Sequence, residues 1–384
     1  MTFKKSILFT HRWLGFISGL VVFIVSITGC IYCFQDEIQD AVHSWRKVAV
    51  QNKSYIAPSV LKNAALTEYP SGNADYIYYF GNNRPAGVLV ELPKQDYIYV
   101  YFNPYTAQLL HTEGKGDFFN VIKYIHLYLL LPEKAGQIVV GVSVIIFIVL
   151  LITGIVLWWP KRKTDRKRSL TIKWSGRWKR INYDLHNVLG FYSVVIAVIL
   201  GLTGLSMTFE WVNKGIYNAA NLGKSYTAEN VFPASDTLYK PKGPVKPVID
   251  RVFYATKKAS PDAEMFLISD DGSKAGTINV TAYVQSLHYG HSNFFFYDRY
   301  NGRLLKYLPD SKKSAGMQLS DMNYDIHVGQ VLGLPGKILA FLVSLICASL
   351  PITGFVVWLS KRKKSTANKP RSVTHRKMKK QLSR

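Results

Sequence analysis

What this chain has little of narrows the reading first. It holds three cysteines in 384 residues, which give no disulfide framework. Acidic residues number 24 against 48 basic ones. No nucleophile with a neighbouring base, no paired acids and no phosphate-binding glycine loop stands out in the long polar segments. Charge itself is nearly missing from four stretches, 13–34, 138–159, 188–209 and 338–359. Each has about the twenty residues that a helix rising roughly 1.5 Å per residue needs to cross a hydrocarbon layer about 30 Å thick. An integral membrane protein with four transmembrane α-helices is expected, not a set of soluble domains.

The net charge of +24 suggests nucleic acid until its placement is considered. Lys4, Lys5 and Arg12 precede the first span, ten Lys or Arg fall within 161–180, and eleven fall within 361–384. Half of the basic residues therefore flank the membrane on one side, which orients the chain with both termini and the middle loop in the cytoplasm. Contact with anionic lipid accounts for the clusters, and no nucleic-acid partner is expected. The division that follows is 1–35 N-terminus and first span, 36–125 outer domain, 126–160 lead-in and second span, and 161–183 basic loop. The second half runs 184–210 third span, 211–325 outer domain, 326–360 lead-in and fourth span, and 361–384 basic tail.

A basic start, an apolar run and "ITGC" ending at Cys30 also fit a lipoprotein signal. "LTGL" at the same place in the third span shows instead that Thr-Gly belongs to a repeat. Cys30 and Cys33 share a helix face, where a redox pair is one reading and helix packing the simpler one.

The repeat is extensive. "ITGIVLWWPKR" (152–162) returns as "ITGFVVWLSKR" (352–362), with seven of eleven positions identical. "HRWLGF" at His11 and "HNVLGF" at His186 each stand seventeen residues before a Thr-Gly, at Thr28 and Thr203. "IHLYLLLPEKAG" after Ile125 and "IHVGQVLGLPGK" after Ile326 place His126 and His327 ahead of Thr153 and Thr353 by 27 and 26 residues. The chain reads as a duplicated helix-domain-helix unit, with Trp158, Trp358, Lys161, Arg162, Lys361 and Arg362 anchoring two helix ends at the cytoplasmic interface.

Four of the nine histidines occupy matched places in this repeat. His11 and His186 fall at the cytoplasmic edge, His126 and His327 at the outer edge; the other five have no equivalents. Across a two-fold axis each pair can face itself, and two facing imidazoles suit the axial positions of a haem iron. Two b-type haems are expected, one near each face. Covalent attachment is excluded, because "CIYCF" lacks the histidine that a haem-binding Cys-x-x-Cys-His needs. Axial ligation on both sides leaves no open position for oxygen, so electron transfer is the natural task. Gly15 and Gly190 follow their histidines by about one turn and leave space for a macrocycle; helix packing explains Gly19 equally well. Gly154 and Gly354 are expected to make room at the haem of His11 and His186, and Gly29 and Gly204 at that of His126 and His327. Arg12, Lys179 and Arg180 suit haem propionates, and topology alone would also place them there.

The outer segments repeat more faintly. Helices are expected at 58–68 and 247–259. Alternating strands follow at 75–80, 86–92 and 96–110, and again at 263–269, 276–283 and 293–305. Each segment is expected to be a small α+β domain. Half of its tyrosines would face the core, the rest forming a docking surface.

With these phrases in view, the sequence resembles the PepSY-associated transmembrane family of bacterial inner membranes, and the outer segments resemble divergent PepSY domains. The resemblance implies a ferric-siderophore reductase-like protein that binds haem between its helices through His11, His126, His186 and His327 and passes electrons to periplasmic iron. Relatives with a fused reductase module contrast with the short basic tail here, so the expected donor is a quinol or a separate cytoplasmic reductase. Two other readings stay open. One is a non-enzymatic PepSY-type membrane protein that regulates a protease or envelope partner; the other is a haem conduit to another periplasmic acceptor.

Overall fold

A computed structural model describes residues 2–160, 162–240, 246–270 and 272–367. Lys161, His375 and most of the basic tail lie outside the described residues, as does the side chain of Arg362. The chain divides into two compact units, one of 1–27, 142–198 and 342–384 and one of 28–141 and 199–341.

Four helices are long and apolar enough to cross a membrane: α1 (Phe3–Cys33), α5 (Glu133–Trp158), α6 (Trp178–Thr208) and α9 (Gly333–Ala367). No more than 33% of any span's apolar window is buried. Ile17, Leu20, Ile152 and Val195 are largely exposed. So many apolar side chains turned outward need a lipid solvent. Within the first unit, aromatic packing holds the helix segments together. Trp158 stacks on Phe191 at 3.8 Å between ring centres and donates its indole N–H to the Ser169 carbonyl at 2.9 Å. Gly19 faces Pro351, where an added Cβ would lie 3.3 Å from the proline Cβ. That is helix packing, the plainer of the two readings of Gly19.

The second unit is built on one antiparallel sheet of eight strands in the order β4-β3-β2-β1-β5-β6-β7-β8. Strands β1 (Asn73–Tyr79), β2 (Ala86–Leu92), β3 (Asp96–Phe102) and β4 (Leu109–Gly114) form one meander. Strands β5 (Met265–Asp270), β6 (Thr277–Tyr283), β7 (Ser292–Asp298) and β8 (Leu304–Leu308) form the other. The meanders join edge to edge through β1 and β5, with Tyr76 opposite Ser269 and Tyr79 opposite Phe266. The two strand-bearing segments thus share one sheet rather than holding one each, because pairing removes two open edges.

Alternation sorts the side chains. Ile77, Tyr79, Val88, Val100, Phe266 and Ile268 turn to one face, where helices α3 (Pro58–Glu68) and α7 (Val248–Ala259) cover them with Leu61, Ala65, Val252 and Phe253. Tyr79 stacks on Phe253 at 4.4 Å, and burial of such a ring contributes roughly 1.5–3 kcal/mol. Gly302, at φ +73°, closes the β7–β8 turn, a conformation that costs glycine nothing. Asp298 accepts the N–H groups of Asp236, Tyr300 and Asn301 at 2.7–3.0 Å to hold that turn.

Candidate functional site: two histidine pairs

The repeated Thr-Gly dipeptides meet the repeated histidines. In the first unit His11 of α1 reaches α5, where its Nδ1 lies 2.9 Å from the Thr153 hydroxyl. His186 of α6 reaches α9, with Nδ1 3.0 Å from the Thr353 hydroxyl. The two imidazoles face each other at 6.5 Å between centres, nearly perpendicular at 87°. His186 sits in a π-helical turn, Leu185–Leu189, within α6. Such a turn carries an extra residue per hydrogen bond and re-aims side chains, often at functional positions.

The second unit repeats the arrangement. His126, in the last turn of α4 (Phe118–Tyr128), meets the Thr28 hydroxyl of α1 at 3.1 Å. His327 ends α8 (Asn323–His327) and meets the Thr203 hydroxyl of α6 at 2.9 Å. Their ring centres lie 6.2 Å apart at 68°. After His327 the chain turns through Gly329 at φ +81°, against the Gly336 backbone, where a Cβ has no room.

The hydroxyl bonds favour one tautomer at three of the four histidines. Thr153 donates to Val149 and Leu150 carbonyls, Thr203 to Ile199 and Leu200, and Thr353 to Ser349 and Leu350, at 2.8–3.2 Å. A hydroxyl has one proton. Spent on its own helix, it leaves the oxygen to accept, an arrangement that suits a histidine whose Nδ1 carries the hydrogen. Nε2 then keeps a lone pair, the form of imidazole that binds a metal.

Each glycine lies beneath a ring. An added Cβ at Gly29 would stand 3.2 Å from His126 Cε1, at Gly204 3.1 Å from His327 Cε1, at Gly354 3.0 Å from His186 Cε1 and at Gly154 3.6 Å from His11 Cε1. The space that these glycines clear is taken by the histidine rings themselves. Gly15 and Gly190 line a cavity of about 820 Å³ with His11, His186, Arg12 and Lys361. A Cβ at Gly15 would meet nothing within 4 Å, and one at Gly190 only Leu350 at 3.5 Å.

Reasoning from sequence alone missed the threonine hydroxyls, taking Thr only as a marker of the repeat. The identical seventeen-residue spacing of His to Thr was the available signal. Cys30 and Cys33 are both buried with free thiols. Cys33 donates toward the Val328 and Lys337 carbonyls at 3.2 and 3.5 Å, and Cys30 toward that of Phe341 at 3.5 Å. Among the described residues, no three His, Cys, Asp or Glu gather as a metal cluster.

A second cavity, about 650 Å³, opens on the sheet face opposite the core. Tyr78, Tyr99 and Tyr101 form its sheet wall, and Asn120 and Lys123 reach it from α4, upstream of His126. Burial lowers the Lys123 ammonium below its usual range against the pull of Glu113. Burial and Glu113 together raise the Tyr101 phenol well above its own.

The sequence model described as PepSY-associated TM region matches residues 8–361, nearly the whole chain. No curated protein matches the chain.

Proposed function

We propose, from the premise that this chain belongs to the PepSY-associated TM region family, that it is a dihaem b electron-transfer protein of the bacterial inner membrane. In this reading it takes electrons from a quinol or a cytoplasmic reductase and reduces ferric iron, held in a siderophore, on the periplasmic face. The basic residues flanking the spans support termini and middle loop in the cytoplasm.

The observation that carries the reading is the spacing of the two imidazole pairs. A metal–imidazole nitrogen bond of about 2.0–2.1 Å, with about 1.1–1.2 Å more to the ring centre, puts two imidazoles on opposite sides of one metal about 6.4 Å apart. The pairs stand at 6.5 and 6.2 Å. His11 with His186 would hold one haem and His126 with His327 the other, each through Nε2. Haem, when bound, supplies reversible one-electron transfer between ferric and ferrous iron.

The protein's own residues do the rest. Thr153, Thr203 and Thr353, whose hydroxyls also bond their own helices, would hold the Nδ1 proton of His11, His327 and His186 and so leave Nε2 for a metal. Arg12 and Lys361, which line the larger cavity, supply cations for carboxylates. The apolar lining from Phe16, Leu150, Phe191 and Phe355 excludes water. The tyrosine-walled cavity of the second unit is the receiving place for the chelated iron. Reduction loosens that chelate, because ferrous ion attracts hard oxygen ligands less strongly.

The visible spectrum of the purified protein tests the reading. Split low-spin haem bands, halved in His126→Ala/His327→Ala, are expected, as is reoxidation of the dithionite-reduced protein by ferric chelates. A colourless protein would return the chain to the regulatory reading.

A further inference from the structure

The four histidines are alike in their threonine and glycine partners but unlike in what precedes them. His186 ends the phrase "NYDLH" (182–186) and His327 ends "NYDIH" (323–327). Four residues before His11 and His126 stand Ile7 and Ile122, which have no polar side-chain atom to offer.

In both phrases the asparagine reaches the threonine that holds the histidine. Asn182 Nδ2 donates to the Thr353 carbonyl at 3.0 Å, while the Thr353 hydroxyl takes His186 Nδ1 at 3.0 Å. Asn323 Nδ2 donates to the Thr203 carbonyl at 3.1 Å, while the Thr203 hydroxyl takes His327 Nδ1 at 2.9 Å. Asn and His stand about one helical turn apart on one face, so the two bonds form a clamp across both atoms of a single residue. Asn182 is 2% exposed, where an unmade bond would carry its full desolvation cost.

The aspartate of each phrase ties down the backbone that carries the clamp. Asp184, 2% exposed, accepts from Arg180 Nε at 2.7 Å and Lys173 N at 3.2 Å. Asp325, 3% exposed, accepts from Tyr289 N, Gly290 N and Gln330 Nε2 at 2.9–3.0 Å. The tyrosines, Tyr183 and Tyr324, line the larger and the smaller cavity respectively.

We infer that Asn182 and Asn323 are positioning residues: each fixes its threonine so that His186 and His327 are held in one tautomer and one orientation. Each imidazole pair then consists of a fixed member and a member set by its own threonine. The inference deepens the dihaem reading and rests on it for the consequence at the iron, but the tautomer itself is a property of this chain.

The test uses the full-length protein in detergent. Asn323→Leu, close in volume and without a donor, is expected to weaken haem retention by about 10-fold to 100-fold at one of the two haems, with a shifted midpoint potential and an altered low-spin resonance for that haem only. Asn182→Leu is expected to do the same to the other, and Ile122→Leu to neither. Asn variants that keep wild-type retention, potential and resonance would overturn the inference. Should the variants not fold, nitrogen-15 histidine spectra of the wild-type protein without haem decide. Single Nδ1–H tautomers at His186 and His327 beside mixed ones at His11 and His126, whose threonines have no asparagine, support the clamp; the same tautomer pattern at all four overturns it. A wild type that binds no haem would defeat the proposed function and leave this tautomer measurement standing.

Discussion

His327 and Thr203 are 124 residues apart in sequence and 2.9 Å apart in space, imidazole Nδ1 to hydroxyl. Because the Thr203 proton is already given to its own helix, the threonine serves His327 as an acceptor. Thr203→Val keeps the shape and removes that acceptor, leaving the His327 ring only the Leu200 backbone, at a cost of about 0.5–1.5 kcal/mol. Haem per protein should fall by about 10-fold in apparent affinity, while Thr203→Ser should stay near wild type. Equal haem content in Val and Ser variants would take the hydroxyl out of the site.

The glycines make a graded series. A methyl at Gly354 stands 3.0 Å from His186, at Gly204 3.1 Å from His327, and at Gly154 3.6 Å from His11. Gly354→Ala and Gly204→Ala should displace their rings and lower haem occupancy several-fold, whereas Gly154→Ala, in ordinary contact, should be near neutral. Gly15→Leu should leave the apoprotein's unfolding temperature unchanged and still reduce haem uptake, since it grows into the open cavity. Absorbance titration of the four variants orders them.

Arg46 holds Asp36 at 2.7 Å and Asp40 at 2.6 Å with its own side chain 11% exposed. Arg46→Leu strands Asp36 and leaves Asp40 to Arg84 alone, and should cost about 3–5 kcal/mol, read as a lowered unfolding temperature in detergent. Asp40→Asn in the same background should return part of it. A loss under about 1 kcal/mol would mean that Arg84, also bonded to Asp40, carries the pair unaided.

Acid should weaken the second unit in a defined window. Burial would raise the Asp40 and Asp298 carboxyls, but Arg84 and Arg46 at the first and backbone N–H groups at the second outweigh it and leave both below the usual value. A carboxyl depressed in the folded state stabilises fully above its unfolded value, about 3.9, and loses that contribution as pH falls through the lower folded value. The unfolding temperature should therefore drop below about pH 4, and less steeply in Asp298→Asn. Parallel acid profiles for the two proteins would remove this carboxylate from the explanation.

Much of the architecture was legible because it is written in local patterns. Charge-free runs announced the spans, and alternation announced strands such as Ala86–Leu92, found at those residues. The equal spacing of His11 and His186 from Thr28 and Thr203 pointed to matched positions before any coordinate did. What stayed hidden was written across distance. The β1–β5 joint pairs Tyr76 with Ser269, and no local alternation tells one edge strand which other edge it will meet. The direction of the Cys33 thiol depends on the carbonyls of Val328 and Lys337, so helix-face arithmetic on α1 alone could not place it. The role of Asn182 needed Thr353, 171 residues on.

The joined sheet has a mechanical meaning. His126 follows the first meander and His327 the second, so the β1–β5 seam acts as a jig for the gap between the two rings. Two separate sheets would leave that gap free to widen and narrow. A continuous ladder from β4 to β8 spans both ends of that gap, so the spacing of the two rings is set by strand pairing and not by the helices alone.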